Sequence, residues 1–190
     1  MLDSRALVVL SLLAGVTAPP GAMAACPVAQ TAAVSVQSDA QHRQLRIFAG
    51  EWAVKQSLWL KPGQPPQLDL GRASFSWVLN GRHLRQAIHI NSATEFDGLS
   101  YFGYDDSAAK YFITWMDVNF NGIIVAQGAY DSAHCVYALL GSMNAPHGEV
   151  VPVREVLSML DDNHFTYEFF ETREGKEVLG VRLDYTRVPS

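Results

Sequence analysis

The sequence predicts an all-β protein: an antiparallel, up-and-down barrel of about ten strands with a short N-terminal helical cap. Three observations carry this. From Glu51 to Arg187 apolar residues recur with a period of two, Gly, Pro, Asn and Asp break the runs roughly every ten to fifteen residues, and no helical segment stands between them. Strands joined by short turns must run antiparallel, because a parallel return needs a crossover of about a dozen residues. An open sheet of that many strands would leave two edges bare, so closure follows. A two-sheet sandwich satisfies the same alternation.

The chain of 190 residues opens with MLDSR and an apolar run, ALVVLSLLAGV, from Ala6 to Val16. That run is too short for a bilayer, which takes about 20 residues. Pro19, Pro20 and the small-residue pattern Ala22, Met23, Ala24 follow it. Residues 1–24 therefore read as a secretory signal peptide cut after Ala24; the prolines argue against a buried N-terminal helix. The expectation is an exported protein, periplasmic in a bacterial host. Cys26, just past the cut, opens a second reading as a lipid-anchored residue, although the usual Leu three positions upstream is missing. Cys135 lies in the apolar run HCVYALL. Two cysteines in an oxidising compartment can pair, and a buried free thiol at Cys135 is the alternative.

Residues 25–38 are small and polar and read as a flexible linker, which leaves 39–190 as one barrel domain, long enough for a real core. The net charge of -5 and the lack of any Lys/Arg block exclude a nucleic-acid partner, which needs a clustered basic face. No second apolar segment is long enough to cross a membrane as a helix.

In DAQHRQLRIFAG, Asp39 is placed to cap a helix whose apolar side is Leu45, Ile47 and Phe48. At barely two turns, it depends on tertiary packing. In EWAVKQSLWL, Trp52, Val54, Gln56 and Leu58 share one side of the first strand, and Pro62, Gly63, Pro65 and Pro66 end it. Ala73, Phe75, Trp77 and Leu79 alternate up to Asn80-Gly81, the pair a type I′ hairpin demands, and the chain returns from Leu84 to Ile90. Seven further strands are expected: Leu99 to Tyr104, Lys110 to Asp117, Gly122 to Tyr130, His134 to Leu140, Val150 to Leu160, His164 to Glu171 and Glu177 to Arg187. Pro152 cannot donate to a ladder, so a local opening is expected there.

No catalytic set, metal site or cofactor motif is predicted. DVNFNG, from Asp117 to Gly122, copies the first half of a calcium loop, but its twelfth position is Gly128 rather than a bidentate Glu, so it reads as a turn. GLSYFG brushes against a nucleophile elbow with its second glycine one residue late, which leaves Ser100 an ordinary strand residue. Of the histidines, His83 and His89 share a strand face about 20 Å apart and cannot share one ion. An enzyme reading rests on Asp117 or Glu155 as a general base and lacks a second positioned group. The aromatic set is more informative: Trp77, Tyr101, Trp115, Tyr137 and Tyr167 fall on separate strands, with Gln86, Asp117 and Gln127 near some of them. Facing inward, they would line an apolar pocket with a few polar groups. A filled core is satisfied by the same rings, and a one-residue slip reverses every assignment.

Gly50, one residue and then Trp52, after a short helical segment, resembles the start of lipocalins and other calycin barrels. The resemblance implies that Trp52 closes one end of the barrel, with an arginine of the last strand across its ring. Arg187, at the end of Tyr185-Thr186-Arg187, stands in that place. Over LRIFAGEW, VLNGRHLRQ, FDGLSYFGYDD, YFITWMD, REVLSMLDDNHFTYEFFE, GKE and DYTR, from His42 to Arg187, the chain is similar to the DUF1579 family of uncharacterised bacterial proteins. Asn80 stands where that family tends to have a second glycine. This likeness implies a calycin-like barrel and no particular reaction. Heme-binding calycin relatives use an inward histidine, and fatty-acid-binding barrels use a C-terminal arginine clamp, for which Arg154 and Arg182 are the candidates here. Surface pairing of these arginines with Glu155 or Asp184 is the plainer fate.

The expected function is non-covalent binding of a small apolar ligand inside the barrel. The alternative is a solid-cored structural or interaction module. An interior void within about 300 to 1,000 Å³, the usual range for ligand pockets, separates them.

Overall fold

A computed structural model of the chain describes residues 26–27, 40–145 and 148–189. The expected signal peptide, most of the linker, the expected cap Asp39 and His147 lie outside the described residues. A helix α1 (Ala40–Gln44) runs into a 3₁₀ turn (Leu45–Phe48), and ten strands follow: β1 (Gly50–Leu58), β2 (Gln67–Val78), β3 (His83–Asn91), β4 (Phe96–Asp105), β5 (Lys110–Asp117), β6 (Phe120–Asp131), β7 (Val136–Asn144), β8 (Val150–Asp161), β9 (His164–Arg173) and β10 (Lys176–Arg187). Each strand pairs antiparallel with the next, and β1 closes on β10 through Trp52 opposite Arg187 and Leu58 opposite Val181. The barrel is therefore up-and-down and closed, with no edge strand left over.

Its base is closed by Trp52, as the resemblance implies. The Trp52 indole is fully buried and donates from Nε1 to the Phe48 carbonyl at 2.8 Å. The Arg187 guanidinium lies 4.1 Å from the indole centroid and donates to the carbonyls of Ala49 and Ile47, while its Nε reaches Asp162 O. Gly50 has φ +123°, and a Cβ there would sit 3.0 Å from Arg187 Nη1, so only glycine admits both the backbone and the guanidinium. The short helical segment contributes Leu45, Ile47 and Phe48 as a plug. Phe48 meets Phe102 at 5.3 Å, Tyr137 at 5.7 Å and Phe165 at 5.0 Å, and Phe165 stacks on Tyr185 at 4.1 Å. Rings in such offset and edge-on contacts gain about 0.5–1.5 kcal/mol per pair beyond their burial. This half of the barrel is packed solid.

Turn chemistry repeats. Asp105, Asp117, Asp131 and Asp161 each accept from the backbone N–H two residues on, at 2.7–2.9 Å, which fixes four of the connections with the same local bond. The β2–β3 hairpin differs from the expected two-residue turn. Positive φ runs over Leu79, Asn80 and Gly81, and overlapping bonds from Gly81 N to Val78 O and Arg82 N to Leu79 O leave four residues between the paired Val78 and His83. Strand β7 starts at Val136 rather than at His134. Cys135 sits in the preceding turn with φ +59°. Pro152 is paired only with β7, through Ser142, and the β8–β9 ladder starts at Val153, so the missing donor faces no partner.

Cys26 and Cys135 form a disulfide, which decides between the bridge and the free thiol. It joins the segment before the barrel to the β6–β7 turn at the plugged end.

Candidate functional site

Above the aromatic plug, the alternation that fills the base opens into a cup. On β1 the inward side continues from Trp52 and Val54 to Gln56 and Leu58. On β9 it continues from Phe165 to Tyr167, Phe169 and Glu171, and on β5 it ends in Trp115 and Asp117. The side chains are large but, among the described residues, no helix covers this end, and a cavity of about 490 Å³ remains, lined mainly by apolar groups such as Phe96, Trp115, Ile124, Phe169 and Leu183. A small void of about 20 Å³ lies beneath it, between the cup and the plug, with Gln86, Ser100 and Tyr167 on its wall.

Several of the polar groups in the cup are engaged. Asp117 accepts from the Trp115 indole N–H at 2.7 Å and from Asn119 N at 2.8 Å, so it belongs to the β5–β6 turn and sets the tilt of the indole. Among the described residues, no group of three or more His, Cys, Asp and Glu side chains is placed to hold a metal ion. Gln56 and Gln67, both in the lining, reach Asp69 Oδ2 at 3.4 and 2.8 Å. Glu171 is held by Arg173, whose own side chain is exposed. No Lys, Arg or His side chain lines the cup among the described residues.

Glu155, which lines neither the cup nor the void beneath it, lacks such partners. It occupies an inward position on β8, is 0 % exposed, and neither carboxylate oxygen has a hydrogen-bond partner. The Tyr167 hydroxyl stands close enough to ease its ionisation, yet not in hydrogen-bonding geometry. Burial dominates and pushes the carboxyl up to about 8. Burial also raises Tyr167 and Tyr185, the latter against the bond it accepts from Gln86 at 2.8 Å.

Of the eight sequence-predicted lining residues, Trp115, Asp117 and Tyr167 line the cup. Gln86 lies in the void below it. Trp77 packs against the core, and Tyr137 is fully buried in it with an unpartnered hydroxyl. Tyr101 and Gln127 are corrections. Tyr101 falls between the buried Ser100 and Phe102, and the exposed Gln127 falls between Ala126 and Gly128, so both stand on the outer face. One position of phase separates each from the interior. Continuing the alternation from Trp52 would have found Gln56 and Leu58. The alternation through Tyr167 likewise leads to Glu171, whereas Phe96 and Phe120 open their strands, where no pattern marks them.

The clamp and heme readings find no support in this geometry. Arg154 lies over the Phe170 ring at 4.0 Å and forks onto Glu177, and Arg182 pairs with Glu168 and Asp184, all on the outside. His42 is buried in α1 against Tyr104, and His83 and His89 occupy outward positions of β3.

The model of a family described as "Protein of unknown function (DUF1579)" matches residues 37–187. No curated protein matches the chain. Among solved structures, the crystal structure of Rv2717c from M. tuberculosis aligns with a TM-score of 0.58 at 15% identity, covering 76% of this chain and 95% of that one. At that identity the likeness concerns the fold alone.

Proposed function

The chain belongs to the DUF1579 family, and from its barrel we propose that it is an exported binding protein that holds a small, mostly apolar molecule non-covalently in the cup. One observation carries the reading: a cavity of about 490 Å³, open at one end and lined by rings and aliphatic groups, stands on a base packed solid. The volume falls within the roughly 300–1,000 Å³ typical of small-molecule pockets. Burying such a ligand contributes roughly 25 cal/mol per Å² of apolar surface. A solid-cored module accounts for the lower half of the barrel and leaves the upper half without a use.

The Cys26–Cys135 disulfide supports export, since such bridges persist in oxidising compartments, the periplasm of a bacterial host among them. A cysteine bonded in this way has no thiol left to carry a lipid, which favours a protein free of that anchor.

The test is titration with the neutral dye N-phenyl-1-naphthylamine, following energy transfer from Trp115, together with native mass spectrometry of protein made in its own host. Saturable one-site binding and a retained small mass are expected. No saturable signal and a bare protein mass would sink the proposal.

A further inference from the structure

One wall of the cup combines ring faces with a carboxylate. Phe96 opens β4, Trp115 and Asp117 close β5, and Phe120 opens β6 opposite Asp117; all four line the cavity. Trp115 and Phe96 stack with centroids 6.3 Å apart and planes 15° from parallel. Gly98 makes room for the indole, since a Cβ there would lie 2.5 Å from Trp115 Cη2. Val118 N donates to Asp97 O at 3.1 Å, which ties the β5–β6 turn to β4 and holds the group in place. The turn aspartates differ in what their side chains meet. Asp131 and Asp161 meet a histidine three residues on and Asp105 meets the Ser107 hydroxyl, whereas Asp117 meets an indole that lines the cup. The lining has no Lys, Arg or His among the described residues, and its other carboxylate, Glu171, is paired with Arg173. Asp117 is thus the lining acid with no basic partner among the described residues.

Resting on the reading of the cup as a binding site, we infer that its ligands are apolar quaternary ammonium compounds. The cationic head lies against Asp117 and the rings of Trp115 and Phe96, and the hydrocarbon body lies over Ile124, Phe169 and Leu183. Aromatic faces attract a cation through their negative quadrupole, Trp most strongly, and the attraction grows where water is kept out. The head is quaternary because both Asp117 oxygens already accept a bond, from the Trp115 indole and from Asn119 N. A fully alkylated head donates no hydrogen bond and asks only for charge and ring faces, whereas a primary ammonium brings three donors that need acceptors. A carboxylate or phosphate head would place a second anion beside Asp117 with no cation in the lining to meet it.

The experiment uses decyltrimethylammonium, decanol and decanoate, three probes with one tail, titrated into the full barrel by calorimetry at pH 7 below their micelle concentrations. The ammonium probe should bind at least about tenfold more tightly than decanol, and decanoate should bind most weakly. Asp117→Asn should keep decanol binding and lose most of the ammonium preference. Phe96→Leu, which removes a ring face and no charge, should reduce that preference at least about threefold; where Asp117→Asn does not fold, Phe96→Leu decides alone. Asp106→Asn makes the same charge change at an exposed turn position and should leave the preference as it was. An ammonium probe no tighter than decanol, a tighter decanoate, a preference that survives these cup variants, or one lost as fully in Asp106→Asn overturns the cation assignment and leaves the binding reading standing. Binding of none of the three probes overturns both.

Discussion

Replacing Glu155 by Gln tests whether this carboxyl is as sealed as the geometry places it. Unfolded, it titrates at its ordinary 4.5; folded, burial moves it to about 8. Between those values the native chain holds a proton that the unfolded chain has released, so stability falls as pH rises across the window, by up to about 1.4 kcal/mol per pH unit. From pH 5 to pH 7 the loss amounts to roughly 2–3 kcal/mol. Glutamine has the same shape and does not titrate. Urea unfolding of both proteins at each pH, followed by tryptophan fluorescence, should show the two stabilities diverging by that amount in favour of the variant. Taking the difference removes the amide's own pH-independent cost, and it removes His83, which burial lowers and which therefore adds stability as pH rises. A difference that stays flat from pH 5 to pH 7 would mean that Glu155 ionises freely, and the sealed-carboxyl argument would fail.

Three further outcomes are expected. Reducing the Cys26–Cys135 bond, or replacing both cysteines by Ala, frees a chain separation of 109 residues and should cost about 2–5 kcal/mol, seen as a lowered thermal midpoint; an unchanged midpoint would show that the bond constrains nothing. Arg187→Ala removes the ring contact and the bonds to Ile47, Ala49 and Asp162, a loss of roughly 2–4 kcal/mol, and amide exchange should quicken first in residues 45–48. Trp115→Phe should abolish most energy transfer to a bound naphthylamine while sparing its affinity within about threefold, since the apolar wall survives; full transfer in that variant would place the dye elsewhere.

The architecture was legible because period-two alternation and Asp- or Gly-centred turns are local properties of the chain. Trp52 and Arg187 lie far apart in sequence, and only the family resemblance joined them. The lining was harder to read. Trp115 and Tyr167 were found because their strands carry clear alternation, whereas Tyr101 and Gln127 were misplaced because neighbours on both sides of them are small or apolar and the phase is ambiguous. The depth at which packing stops is set by how ten strands stagger around the barrel, which no single strand encodes. The orphaned state of Glu155 was equally hidden: on paper it stood next to Arg154, a natural partner, but adjacent strand residues point to opposite faces and the two never meet.

The plug beneath the cup has a consequence for how this family can change. Because rings from the helical segment and six or more strands already anchor the barrel from below, the rim side chains carry little of the cohesion of the whole. Their replacement can reshape the cavity while the foundation stays as it is, so relatives with one scaffold are free to differ in the space they enclose.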